Sequence, residues 1–382
     1  PRLILRIAPA VAKMAAQTGV ARRPIEDMDA YLDRLNRFVF RSGLIMKPLF
    51  AASKTATHKR VIFAEGEDER VLRAAQILLE EKIAEPILIG RPGIIASRLE
   101  RFGLKIKPDE DFAVINPEDD PRFRAYTDHY LSLVGRKGVI PESARTIVRT
   151  NSTVIAALAV ERGDADAMIC GLEGRYLKHL RDITQIIGKV DRVSNYAAMS
   201  LLIGQQGATF LVDTNVSFDP SAEQIAEVTI MAASEIRRFG ITPRVALLSH
   251  SNFGSRDSES AEKMRLAAAL VREMAPELEA DGEMQGDTAI SEVLRTRVMP
   301  NSTLTGSANL LVFPNLDAAN ITLGVVRSMT DSLHVGPILL GSRKPAHILL
   351  PSVTSRGVVN MATLAVVEAS YPAEEQPLEA TL

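Results

Sequence analysis

Short apolar runs alternate with segments of helical spacing from residue 60 onward, and this alternation narrows the fold more than any other feature of the chain. The runs fall at 60–64, 86–89, 165–170, 209–213, 244–249 and 309–313. Short apolar strands separated by helical patterns argue for parallel βαβ units with helices on both faces of the sheet. The predicted class is therefore α/β, with mainly parallel sheets covered by helices. One helix can be read from end to end. Ser221 and Gln224 form a capping box after Asp219-Pro220, a stripe of Ile225, Val228, Ala232, Ile236 and Phe239 lines one face, and Gly240 ends it.

The section before residue 49 has helical spacing too, with Leu3, Ile4, Ile7, Val11 and Met14 in one stripe and Met28, Tyr31, Leu32, Leu35, Phe38 and Val39 in a second. Two amphipathic helices cannot bury both stripes by themselves, so they are expected to pack on the main body. The polar stretch 51–59 reads as a linker and the Pro/Glu-rich stretch 373–382 as a frayed tail. The chain opens on Pro1 within a helical pattern, which reads as a piece excised from a longer polypeptide.

A length of 382 residues allows two domains or one large two-lobed one, and 46% hydrophobic with 24% charged residues is an ordinary globular balance. No run of about eighteen apolar residues and no secretory leader pattern is found, so a cytoplasmic protein is expected, away from membranes. The formal net charge of −2, with charges interspersed, gives no broad basic face for nucleic acid. A single cysteine, Cys170, excludes an internal disulfide and a cysteine-based zinc site. It closes an apolar strand and reads as a buried structural thiol. The six histidines are dispersed without metal-ligand spacing, and no Gly-x-Gly-x-x-Gly fingerprint occurs.

From Asp281 to Gly341 several motifs follow in order. They are Asp281-Gly282-Glu283-Met284-Gln285-Gly286-Asp287-Thr288-Ala289, Pro300-Asn301-Ser302, Gly306-Ser307-Ala308-Asn309-Leu310-Leu311-Val312-Phe313-Pro314-Asn315-Leu316 and Gly336-Pro337-Ile338-Leu339-Leu340-Gly341. Together they resemble the phosphate acetyltransferases. The resemblance implies a two-lobed phosphotransacetylase-like fold whose cleft between the lobes holds coenzyme A. One lobe is expected at 60–193 with 338–382, the other at 194–337. In that family the Gly-Pro-Ile-Leu-x-Gly run leads to a Pro, then Val-Asn-Asp-Leu-Ser-Arg-Gly, with an Asp seven residues after the Ser. Laid on without gaps from Lys344-Pro345, the Ser falls on Leu350, the Arg on Pro351 and the Asp on Gly357. Acetyl transfer between a thiol and phosphate needs a base or hydrogen-bond partner for the thiol and a cation for the developing oxyanion. Leucine and proline supply neither, so no catalytic residue is expected. The rival reading makes Ser355-Arg356-Gly357 a shifted active site.

Residues 3–12 and 36–48 look like the tail of a bacterial malic enzyme domain. A tail of that kind followed by a phosphotransacetylase-like domain is similar to the hybrid NADP-dependent malic enzymes. The resemblance implies acetyl-CoA as an effector of malate decarboxylation to pyruvate in a domain N-terminal to Pro1, where NADP and a divalent metal would reside. Implied partners are an acyl-CoA, that upstream domain, and a second copy of the chain, as a homodimer through the second lobe or a higher homo-oligomer. A purely oligomerising module is the remaining alternative.

Ligand-binding candidates follow from residue chemistry. The loop 249–255 offers Ser249, Ser251, Asn252, Gly254 and Ser255 at a helix N-terminus, an arrangement suited to phosphate, or simply a capped turn. Arg175, Lys178 and His179 would share a helix face and could hold a phosphate, or be a solvated face. Arg343 and Lys344 precede the loop at Pro345, and Arg356 follows it. Asn309 could bond a pantetheine amide or a local backbone group.

Overall fold

The structure, a computed structural model, describes residues 2–21, 23–25, 27–39, 43–55, 59–191, 193–204, 207–330 and 332–371. Three helices come first, α1 (Arg2–Gln17), α2 (Met28–Val39) and α3 (Gly43–Thr55). The strands β1 (Arg60–Phe63), β2 (Glu85–Ile89), β3 (Ala113–Ile115) and β4 (Ala167–Cys170) follow. Between them run α4 (Glu69–Glu80), α5 (Pro92–Arg101), α6 (Phe123–Val134), α7 (Pro141–Thr150) and α8 (Ser152–Arg162). After α9 (Tyr176–Ile186) come β5 (Ala197–Gly204), β6 (Gly207–Val212), α10 (Ala222–Arg238), β7 (Val245–Leu248), α11 (Glu259–Met274) and β8 (Ala280–Met284). The chain continues through α12 (Gly286–Ile290), α13 (Glu292–Val298), β9 (Leu310–Val312), α14 (Leu316–Met329) and β10 (Leu333–Leu340). It ends with β11 (Ala346–Ile348) and α15 (Ser355–Ser370).

Two sheets result. The first has the order β11-β4-β1-β2-β3, with every pair parallel. The second has the order β10-β5-β6-β9-β7-β8, in which β10-β5 and β5-β6 are antiparallel and the rest parallel. The expected α/β class with mainly parallel sheets is what forms. The chain leaves the first sheet after β4 and returns to it with β11. The return falls between Leu340 and Ala346, because all of β10 to Leu340 stays paired with β5 in the second sheet.

Apolar periodicity sets each layer. In β4 all four residues are buried, and α8 buries a continuous run from Thr153 to Val160, so both lie inside the first half. Helix α15 buries Val358 through Val367 and shares one apolar cluster with Phe63 of β1 and Ile338 of β10. That shared core ties the two halves together. Among the described residues no helix is long and apolar enough to cross a membrane.

Several elements depart from the sequence reading. The stretch 51–55, expected as linker, continues α3. Met46, Leu49 and Ser53 fall on one buried face at helical spacing, and Ser53 Oγ donates to the Phe50 carbonyl at 3.1 Å. Polarity on the outer face had hidden that stripe. Residues 56–58 and the 373–382 tail lie outside the described residues. Helix α1 leaves Ile7, Val11 and Met14 exposed and packs on α2, so this stripe does not pack on the main body. Strand β8 escaped notice because two acids interrupt it, yet Asp281 and Glu283 are both buried. Strand β10 is broken in register between Val335 and Ile338, where Gly336-Pro337 intervenes.

Candidate ligand-binding site

In parallel α/β sheets ligands gather beyond the carboxyl ends of the strands. At that edge of the first sheet the loops after β1, β4 and β11 meet closely. A Cβ on Gly171, whose φ is +93°, would stand 2.5 Å from the Leu349 carbonyl oxygen, so only glycine lets these loops touch. Gly171 N donates to Glu65 Oε1 at 2.9 Å, while Glu65 Oε2 is buried without a partner. Burial pushes this carboxyl up to about 7. Arg70 is ion-paired with Asp68 at 2.8 Å and donates to the carbonyls of Pro351 at 2.5 Å and Val353 at 3.3 Å. The loop carrying Leu350 and Pro351 is thus pinned to the loop after β1.

The tripeptide Ser355-Arg356-Gly357 forms the first turn of α15, where Gly357 N donates to the Thr354 hydroxyl at 3.1 Å. The Arg356 guanidinium lies 4.9 Å from the centroid of the Phe50 ring in α3. Its cation therefore faces an aromatic ring of the helix packed outside α15.

The serine-rich loop after β7 is an anion cradle already filled from within. Glu283, fully buried at the end of β8, accepts from Ser251 Oγ at 2.8 Å and Gly254 N at 2.9 Å, and pairs with Arg265 at 3.2 Å. Burial pushes the Glu283 carboxyl up, but Arg265, the Gly254 amide and the Ser251 hydroxyl outweigh it and hold it below the ordinary carboxylate range. Ser255 Oγ accepts from Asn252 N at 2.9 Å, Asn252 Oδ1 accepts from Gln285 N at 2.8 Å, and Ser249 Oγ accepts from Ser251 N at 3.2 Å. The donors expected to meet a phosphate serve the protein's own carboxylate, supplied by a strand more than twenty-five residues further on. Asn309 is likewise occupied, its Oδ1 accepting from Arg244 N at 2.7 Å and its Nδ2 donating to the Thr242 carbonyl at 2.8 Å. Lys344 donates to the carbonyls of Val160 at 3.0 Å and Glu161 at 2.9 Å, and Arg343 pairs with Glu161 at 2.8 Å.

Helix α9 is different. Helix geometry begins only at Tyr176, with Arg175 extended at the N-cap (φ −103°, ψ 133°), so His179 turns inward instead of sharing the face of Arg175 and Lys178. Its Nδ1 lies 2.7 Å from Thr153 Oγ1 and its Nε2 2.7 Å from the Glu173 carbonyl. Arg175 and Lys178 are exposed, and their side chains make no hydrogen bond or ion pair with the described residues. Arg181, one turn further and also exposed, continues the row. Near the C-terminal end of the same helix Thr184 borders a cleft of about 320 Å³. Lys189 and Tyr196 complete one wall, and Phe218, Pro220 and Gln224 form the other. Phe218 is 73% exposed, so its ring stands open at the cleft. The cleft sits where α9, which covers the first sheet, meets the loop after β6 and the start of α10. Sequence reading had found Arg175 and Lys178; the cleft escaped because its walls lie far apart in the chain, although the spacing of Arg181 and Thr184 on one helix face was legible.

The two-sheet α/β scaffold is phosphotransacetylase-like in its class, as its solved structural neighbours are phosphotransacetylases. The chain belongs to the phosphate acetyl/butaryl transferase family, whose pattern it matches over residues 44–366. It superposes on a phosphotransacetylase from Streptococcus pyogenes with a TM-score of 0.79 at 28% identity, over 86% of this chain and 98% of that one. Its sequence is 76% identical over 371 residues to an NAD-dependent malic enzyme of Rhizobium meliloti (strain 1021), covering 97% of this chain and 48% of the relative. It is 51% identical over 379 residues to an NADP-dependent malic enzyme of Escherichia coli (strain K12), covering 99% and 49%. The chain thus spans about half the length of these relatives, as the phosphotransacetylase-like portion of a malic enzyme would.

Proposed function

We propose that the chain is a regulatory acetyl-CoA-binding module, without acetyltransferase activity, of a malic enzyme that oxidatively decarboxylates malate to pyruvate. The observation that carries this reading is a retained family fold in which, on a gapless alignment, Leu350, Pro351 and Gly357 fall at the positions of the family's Ser, Arg and Asp. None of the three can accept a proton or neutralise an oxyanion. The module itself would need neither nicotinamide nor metal. On this reading both would reside in a part of the polypeptide outside this chain; the relatives carry NAD in one name and NADP in the other.

Coenzyme A brings phosphate anions and a purine. Arg175, Lys178 and Arg181 form a cationic row suited to the phosphates. The Phe218 ring at the cleft offers a face for the purine. From Tyr176 to Thr184 the helix rises about 12 Å, a span in keeping with an extended ligand. Bound to one conformational state more tightly than another, acetyl-CoA could change malate turnover about 5- to 150-fold for a coupling of about 1–3 kcal/mol. A second copy of the chain is the natural cover for Ile321, Val325 and Met329, an apolar stripe on α14 that is 64%, 49% and 79% exposed, which supports a homodimer through the second sheet's half or a higher homo-oligomer. A cytoplasmic location accompanies the reading.

Calorimetric titration of acetyl-CoA into the R181A and K178A variants tests it. A charge-assisted bond contributes about 1.5–3 kcal/mol, so each variant should bind roughly 10- to 100-fold more weakly. An unchanged Kd in the R175A/K178A/R181A triple variant would remove the site.

A further inference from the structure

Helix α3 lies where the two halves of the molecule can both push on it. Its Phe50 ring receives the Arg356 guanidinium at 4.9 Å, from the first turn of α15. That turn follows directly on the loop of Leu350 and Pro351, which Arg70 pins to the loop after β1. Its Pro48 meets the other half: a Cβ on Gly240, at the C-terminal end of α10, would lie 3.7 Å from Pro48 Cγ. Helix α10 is a single rod of 17 residues, about 25 Å long. Gln224 in its first turn lines the cleft, its last turn abuts α3, and Ser221 caps its start with both reciprocal bonds in place. The inner face of α3, with Met46 and Leu49 fully buried, belongs to the core shared by both sheets. Upstream, α3 contacts α2, which in turn packs on α1.

We propose that α3 is a lever that reads the spacing of the two halves, through Phe50 on Arg356 and Pro48 on Gly240, and passes an acyl-CoA bound in the cleft on to the α1–α2 pair and whatever precedes it. The inference rests on the acetyl-CoA reading and adds the route by which occupancy would reach the rest of a longer polypeptide. A ligand spanning α9 and the start of α10 favours one separation of the halves. A rigid α10 carries that displacement to its far end, because a packed helix shifts as a body and does not bend to absorb it. The helix at that far end packs on α15 along its inner face and meets the end of α10 at Pro48, so it follows both.

The chain contains no tryptophan, so Phe50→Trp places a lone indole beneath Arg356. Acetyl-CoA should shift its emission along the same saturation curve that calorimetry gives, and in the unaltered chain amide exchange across 43–55 should change at least about 5-fold. Phe50→Leu should bind acetyl-CoA with unchanged Kd while losing most of the exchange response in 43–55. Calorimetric saturation with α3 exchange and indole emission both unchanged would overturn the lever and leave the binding module standing. Absence of any binding heat would sink the binding module and the lever together. Exchange in the unaltered chain decides the matter should Phe50→Trp fold poorly.

Discussion

Glu65 and Glu283 are both carboxyls at strand ends, and their surroundings drive them in opposite directions. Glu283 meets Arg265 and two donors and is held below the ordinary carboxylate range, whereas Glu65 has backbone donors but no cation, a second oxygen buried without a hydrogen-bond partner, and a carboxyl pushed up to about 7 by burial. The sign for Glu65 follows from linkage. The folded state holds its proton more tightly than the unfolded chain, so its stabilising effect is full below about pH 4.5 and is lost as pH rises to about 7. Glu65→Gln keeps the acceptor for Gly171 N without the titration. The variant should therefore gain on the parent by up to about 3 kcal/mol between those limits, seen as diverging Tm values in melts at pH 4.5 and pH 8. Parallel Tm profiles would refute a strained carboxyl. At this scale the sequence was a partial guide. It singled out Arg175 and Lys178 as cations that could hold a phosphate, and their side chains stay unpaired among the described residues. It could not show that Ser251 and Gly254 would be claimed by Glu283, because that partner arrives across a strand pair.

At the scale of elements, the helices that declared themselves were those with local signals. Helix α10 matches its reading because its capping box is a three-residue pattern, and both reciprocal bonds form. Ser221→Ala should lower stability by about 0.5–2 kcal/mol, measured by urea unfolding. If α10 is also the rod between cleft and α3, the same change should weaken acetyl-CoA binding through its frayed first turn. The second half of α3 failed to declare itself because Ala51, Ala52, Ser53, Lys54 and Thr55 look like a polar connector. Its burial is decided by α15, some three hundred residues later in the chain. Strand β8 was hidden for the same kind of reason: Asp281 reads as a turn residue until Ser302 Oγ at 2.8 Å and Thr303 N at 3.0 Å are found to satisfy it.

At the scale of the molecule, the alternation of apolar runs and helical segments was enough for the class, and ordered motifs were enough for the family. The division of labour between the halves was not legible, since the cleft forms from α9 and the loop after β6, which sequence spacing does not bring together. What unites the scales is an arrangement with a cleft where its halves meet and a loop after β11 that has no acid, base or cation of its own. The measurement closest to that claim is calorimetric titration of the chain with acetyl-CoA, followed by an assay for thioester formation from acetyl phosphate and CoA on the same sample. The account predicts saturable binding, weakened by loss of the α9 cations, and no thioester above the uncatalysed rate. Turnover that disappears in the Arg356→Ala variant would establish the first turn of α15 as a working active site and contradict it.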